Sequence, residues 1–294
     1  MREDAIRFGK ARSLVGIITD PPEAKRRIQL PAVVVLNSGI VHRVGLNRIH
    51  VKLARELAAV GFVVMRFDFS GIGDSKVRED SLPFVKSVLS ETQEAMDYLS
   101  ATRGIERFIL VGICSGAATA LRIACDDRRV AGVVPINNRG YLHGFDEKSS
   151  AQLRSRAIIH HYWRIAFSSS FRAKNWIKAM TGKIDYRRFL RVISSRLMTT
   201  VSFDRGKVYS RGNDFPSHLE LLVKRGVHLL FIHSEGDEGL DYLHVLRRHE
   251  GSKKNFSAMF RLEIISGANH TFTLLWTQKA LLKLIQDWAQ TTFR

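Results

Sequence analysis

Between residues 31 and 37 the chain reads PAVVVLN, a short β-branched run without polar alternation. Such a run predicts a parallel strand covered on both faces. Gly39 allows a turn, and Ile49, Leu53, Leu57 and Val60 then recur at helical spacing through 48–60. Gly61 stops that helix before a second apolar run, FVVMRFD at 62–68. The pattern repeats with a polar turn at 70–75, a helix over 83–100 and the strand RFILVG at 107–112. An Ala-rich helix ending near Cys125 and the strand VAGVVPIN at 130–137 follow. Strands and helices that alternate in this way form a mostly parallel sheet flanked by helices, an α/β class fold with right-handed crossovers.

The rhythm breaks after residue 137 and resumes with VHLLFIHSEGD at 227–237, a helix around 240–249, the strand FRLEIISGANH at 260–270 and an amphipathic helix from Leu274 to about Trp288. The intervening stretch is chemically distinct. Residues 139–225 hold 18 Lys and Arg against 6 Asp and Glu, a net +12 out of the formal +18 of the whole chain. The organisation read from this is a core made of 1–137 and 226–294 with a basic helical cap inserted at 138–225. At 294 residues and 45% hydrophobic content one large core is affordable.

The first residues, MREDAIRFGK, carry charge where a signal peptide carries an apolar stretch. No later run approaches the roughly 18 apolar residues of a membrane span. The expectation is a cytoplasmic protein. Cys114 and Cys125 are the two cysteines. On one helix they stand about 16 Å apart at 1.5 Å per residue, too far for a disulfide.

The sharpest chemical signal is Gly112-Ile113-Cys114-Ser115-Gly116, which follows an apolar strand and opens a helix. That is the setting of a nucleophile elbow, whose central residue is strained and whose positions two before and two after must be small. Cys114 holds the central position, and a thiol at a helix start beside an imidazole favours the reactive thiolate. Centring the motif on Ser115 would put Ile113 where a small residue is needed. The plain alternative is a small buried cysteine in an ordinary strand-to-helix turn.

His270, in GANHTF, follows the late strand and precedes the last helix, where a loop can carry a base to the elbow. Asp237 ends LLFIHSEGD and can accept from the far imidazole nitrogen, with Glu235 and Asp241 as nearby competitors. The order Cys114, Asp237, His270 is the nucleophile, acid, base order of such sheets. The backbone N–H of Ser115 and those of Ser38 and Gly39 are the oxyanion-hole candidates, with the Asn37 amide as a further donor. RFDFSGIGDS at 66–75 lacks both phosphate-loop spacings and reads as a structural turn.

These blocks, GICSG, SEGD and GANHTF, resemble the α/β-hydrolase superfamily over 1–137 and 226–294. More narrowly, RVGLNRIHVKLARELAAVGFVVMRFDFSGIGDS with GICSGA is similar to bacterial hydrolases of the serine aminopeptidase S33 type, including those found beside exosortase and exopolysaccharide systems. Most of the superfamily carries serine where this chain has Cys114, whereas dienelactone hydrolases and polyhydroxyalkanoate synthases are similar in using cysteine. The resemblance implies a hydrolase of an ester or thioester, or an acyltransferase, working through an acyl-enzyme on Cys114 without cofactor or metal. A non-catalytic binding module is the rival reading, and Ser115 as nucleophile a third.

The cap mixes Trp163, Phe167, Phe171 and Trp176 with Arg164, Arg172, Lys174 and Lys178, a basic amphipathic surface. A small or carrier-bound acyl substrate is expected at the core. A solvated face, an anionic glycan, an acidic carrier protein and a membrane surface all remain open for the cap. Nucleic acid is disfavoured by the absence of its recognition motifs.

Overall fold

In the computed structural model, residues 1–27, 29–80, 82–138, 215–237, 239–240 and 258–293 are described. Eight strands form one sheet: β1 (Arg2–Phe8), β2 (Leu14–Asp20), β3 (Ala32–Leu36), β4 (Val64–Asp68), β5 (Phe108–Ile113), β6 (Val130–Ile136), β7 (His228–Ser234) and β8 (Phe260–Ile265). Their spatial order is β1-β2-β4-β3-β5-β6-β7-β8. From β4 through β3 to β8 all pairings are parallel, while β2 runs antiparallel to both β1 and β4. The six expected strands are present, and this is the α/β-hydrolase architecture.

The continuous apolar runs arise because the inner strands, β3 to β7, are buried on both faces. In β3, Ala32, Val34 and Leu36 enter one core while Val33 and Val35 enter the other. The helices α2 (Phe84–Arg103), α3 (Ser115–Asp126) and α4 (Phe215–Lys224) cover the first face. They contribute Met96 and Leu99, Leu121 and Ala124, and Phe215 and Leu222. The helices α1 (Ile49–Ala59) and α5 (Leu275–Thr292) cover the second, through Leu53 and Leu57 and through Leu281, Ile285 and Trp288.

Two features depart from the sequence reading. The antiparallel β1–β2 hairpin was not expected, because β1 (REDAIRF) is rich in charge. A charged edge strand presents little apolar pattern and resists pairing with another chain. The core also resumes at Phe215 and not at 226. Helix α4 packs Phe215, Leu219 and Leu222 into it, and Arg225 donates to the carbonyls of Ala124, Cys125 and Asp127 at the end of α3. A cation at a helix C-terminus satisfies its orphan carbonyls and complements its dipole. The rest of the basic cap, and the expected helix around 240–249 beyond the buried Leu240, Asp241 included, lie outside the described residues. Among those described, no helix is long and apolar enough to cross a membrane.

Candidate active site

The tight bend between β5 and α3 begins with two steric facts. A Cβ on Gly112 would lie 2.2 Å from the Gly116 backbone, and one on Gly116 would lie 2.6 Å from the Asn37 carbonyl oxygen. Only glycine lets strand, helix and the end of β3 approach this closely. The residue between them, Cys114, is driven to φ 57 and ψ −113, a strained conformation for any residue with a side chain. Its own N–H is anchored to the Ile136 carbonyl at 2.9 Å. The side chain is half-buried at the first turn of α3, where the unpaired helix N–H groups favour negative charge. Cys114 and Cys125 are not disulfide-bonded.

Across the sheet end, the loop after β8 brings His270 to this bend. His270 Nδ1 is 2.6 Å from Asp237 Oδ2, and Cys114 hydrogen-bonds the ring. With Nδ1 committed to the carboxylate, Nε2 is the nitrogen left for sulfur. The hydrogen bond to Asp237 is the largest cause that raises His270 to about 9, followed by the hydrogen bond to Cys114, while burial opposes both. Asp237 is buried, which works against its charge. The hydrogen bonds from His270 and the Gly239 N–H, with the buried His233 ring close by, outweigh that cost and hold the carboxyl well below its usual range. Of the competing acids, Glu235 is turned away: its Oε2 accepts the Gly267 N–H at 2.8 Å.

The base loop is fixed by groups that sequence reasoning missed. Asn137 is fully buried at φ 47. Its Nδ2 donates to the His270 carbonyl at 2.8 Å, and its Oδ1 accepts the Ser234 N–H at 2.7 Å, so the ends of β6, β7 and the His270 loop are tied together. Phe272 is fully buried at φ 50 and anchors the same loop, with its carbonyl held by Gln278 Nε2 at 2.9 Å. His233 is buried with Nδ1 3.5 Å from Asp237 Oδ1, too long for a strong hydrogen bond. The one available clue for Asn137 was a polar residue closing an otherwise apolar strand.

On the opposite side lies the loop after β3. Asn37 is buried and its amide is spent on the loop itself, donating to the Val41 carbonyl at 2.9 Å and accepting the Phe69 N–H at 3.1 Å. The fully buried Asp68 organises the remainder, accepting the Arg43 N–H at 2.5 Å and pairing with the Arg43 guanidinium, which also reaches Asp74 at 2.5 Å. Ser75 Oγ donates to the Asp68 carbonyl at 2.7 Å and accepts the Val15 N–H at 2.9 Å, so 66–75 is held as a turn within this network. Ser38 is half-buried and Gly39 exposed. The Gly39 N–H donates to Ser115 Oγ at 2.7 Å, so the loop and the residue after Cys114 are in direct contact. No group of three His, Cys, Asp or Glu side chains among the described residues is placed to hold a metal ion.

The sheet order and the helices on its two faces are those of the α/β-hydrolase fold. More particularly, residues 29–150 match the family model described as serine aminopeptidase, S33. No curated protein matches the chain. Among solved structures, an α/β serine hydrolase homologue from Coxiella burnetii is similar at 13% identity and a TM-score of 0.56, covering 97% of this chain and 96% of that one. An esterase from Pyrococcus furiosus gives 13% identity, a TM-score of 0.56 and coverage of 100% and 94%. A dienelactone hydrolase from Anabaena variabilis gives 15% identity, a TM-score of 0.56 and coverage of 100% and 99%. Likeness at these identities is likeness of fold.

Proposed function

We propose that the chain hydrolyses an ester or thioester through an acyl-enzyme on Cys114. The observation that carries this reading is the convergence at one sheet end of three side chains from distant parts of the chain. Cys114 sits strained at a helix start, His270 is hydrogen-bonded to it, and Asp237 lies 2.6 Å behind His270.

The thiolate, with His270 as imidazolium, adds to the acyl carbon. A C–S bond forms as the carbonyl π pair moves onto oxygen. Collapse of that tetrahedral species expels the alkoxide or thiolate leaving group, which takes the proton from His270 Nε2. The neutral imidazole then removes a proton from water, whose oxygen attacks the thioester. When this second tetrahedral species collapses, the carboxylic product leaves and Cys114 departs as thiolate, with the proton again on His270. Asp237 fixes the tautomer and favours imidazolium at both stages. Helix-start N–H groups, beginning with that of Ser115, face the developing oxyanion.

The Pyrococcus furiosus and Anabaena variabilis neighbours are named an esterase and a dienelactone hydrolase, which supports acyl chemistry. The test is turnover of short acyl thioesters and matched oxyesters. Cys114→Ala and His270→Ala should each lose at least about 10³-fold in kcat/KM. Turnover unchanged in both variants would refute the covalent reading and leave a binding module in its place.

A further inference from the structure

The backbone amide of Gly39 has one hydrogen, and Ser115 Oγ already accepts it at 2.7 Å. A short, well-formed bond of this kind leaves the amide little to offer a second acceptor. Ser115 is exposed, directly after Cys114, and its hydroxyl oxygen is the acceptor in that bond, which leaves its proton free to turn outward. Space is available beside the pair: Gly39 is at φ +54, and a Cβ built there would meet nothing within 4 Å. A hydroxyl that accepts from an amide becomes a better donor, because each bond in the chain polarises the next.

We infer that the Ser115 hydroxyl is a donor of the oxyanion hole. It relays the Gly39 N–H to the substrate oxygen, while the backbone N–H of the same residue supplies the second bond. Substrate oxygen is thus held by two donors of Ser115, and the loop after β3 acts through the side chain. This rests on the covalent reading above, but it assigns a separate group to transition-state binding.

The assay compares Ser115→Ala, Ser115→Thr and Cys114→Ala with the unaltered protein in three measurements. These are kcat and KM on a short acyl thioester, the affinity of the matching aldehyde, whose hemithioacetal oxygen occupies the oxyanion position, and the rate of Cys114 alkylation by iodoacetamide, which forms no oxyanion. Ser115→Ala is expected to lower kcat about 10²-fold at nearly constant KM, as for loss of one oxyanion donor. It should weaken the aldehyde by a similar factor and leave alkylation within about twofold. Ser115→Thr, which keeps the hydroxyl, should recover most of the loss.

Three results overturn the assignment: kcat retained within about twofold in Ser115→Ala, an equal loss in Ser115→Thr, or alkylation falling in step with kcat, which would mark a disturbed bend. Turnover surviving in Cys114→Ala would bring down the covalent reading, and this assignment with it. Loss in Cys114→Ala with none in Ser115→Ala refutes the hydroxyl role alone.

Discussion

Replacing Asp237 with Asn keeps the shape of the acid and removes its charge. His270 stands at about 9 against its usual 6.5, with the hydrogen bond to Asp237 as the largest cause. That difference corresponds to about 3 kcal/mol in favour of imidazolium, at about 1.4 kcal/mol per tenfold. The structure also dictates how the new amide must sit. Asp237 Oδ1 accepts the Gly239 N–H at 2.9 Å, so the amide oxygen of Asn stays there and its NH2 is turned toward His270 Nδ1. The ring is then driven to the Nε2–H tautomer, which cannot take a proton from the nucleophile or from water. Burial, which lowers His270, remains in force.

Asp237→Asn is therefore expected to bring the His270 titration down toward 6.5, followed as the pH-dependent imidazole proton shift in NMR and assigned against His270→Ala. The unaltered protein should keep imidazolium until the pH rises through about 9. Turnover should fall by up to about 10⁴-fold, the scale of the same change in a serine triad. A variant that still titrates near 9, or that keeps kcat within about tenfold, would show that Asp237 does not govern His270.

Three further outcomes follow from the same geometry. Gly116→Ala forces a Cβ to 2.6 Å from the Asn37 carbonyl oxygen, and should lower stability by about 2 kcal/mol or more, measured by urea unfolding. Asn137→Ala leaves the His270 carbonyl and the Ser234 N–H without their partner, at about 1–3 kcal/mol each if no water replaces it. It should also reduce turnover while Cys114 still alkylates. Asp68→Asn takes the buried carboxylate from Arg43, which keeps Asp74 as its partner, and should cost about 1–3 kcal/mol, with thermal melting as the readout.

Much of this was legible in the sequence because parallel strands bury both faces and so write unbroken apolar runs, as in 31–37 and 107–112. The bend could be read because its glycines answer a local steric demand, and His270 and Asp237 because each lies in the short loop after a late strand. The β1–β2 hairpin escaped because its edge strand is charged. Helix α4 escaped because it was counted with the basic stretch around it, although Phe215, Leu219 and Leu222 keep helical spacing. Asn137, His233 and the bond between Gly39 and Ser115 depend on which loops meet across the sheet end, and no local pattern encodes that.

The most direct measurement is rapid quenching during steady turnover of a short acyl thioester, followed by peptide mass spectrometry. The account predicts one acyl mass on the sulfur of Cys114, appearing before product and disappearing with it. Acyl mass on Ser115, or turnover with no adduct on either residue, would contradict it.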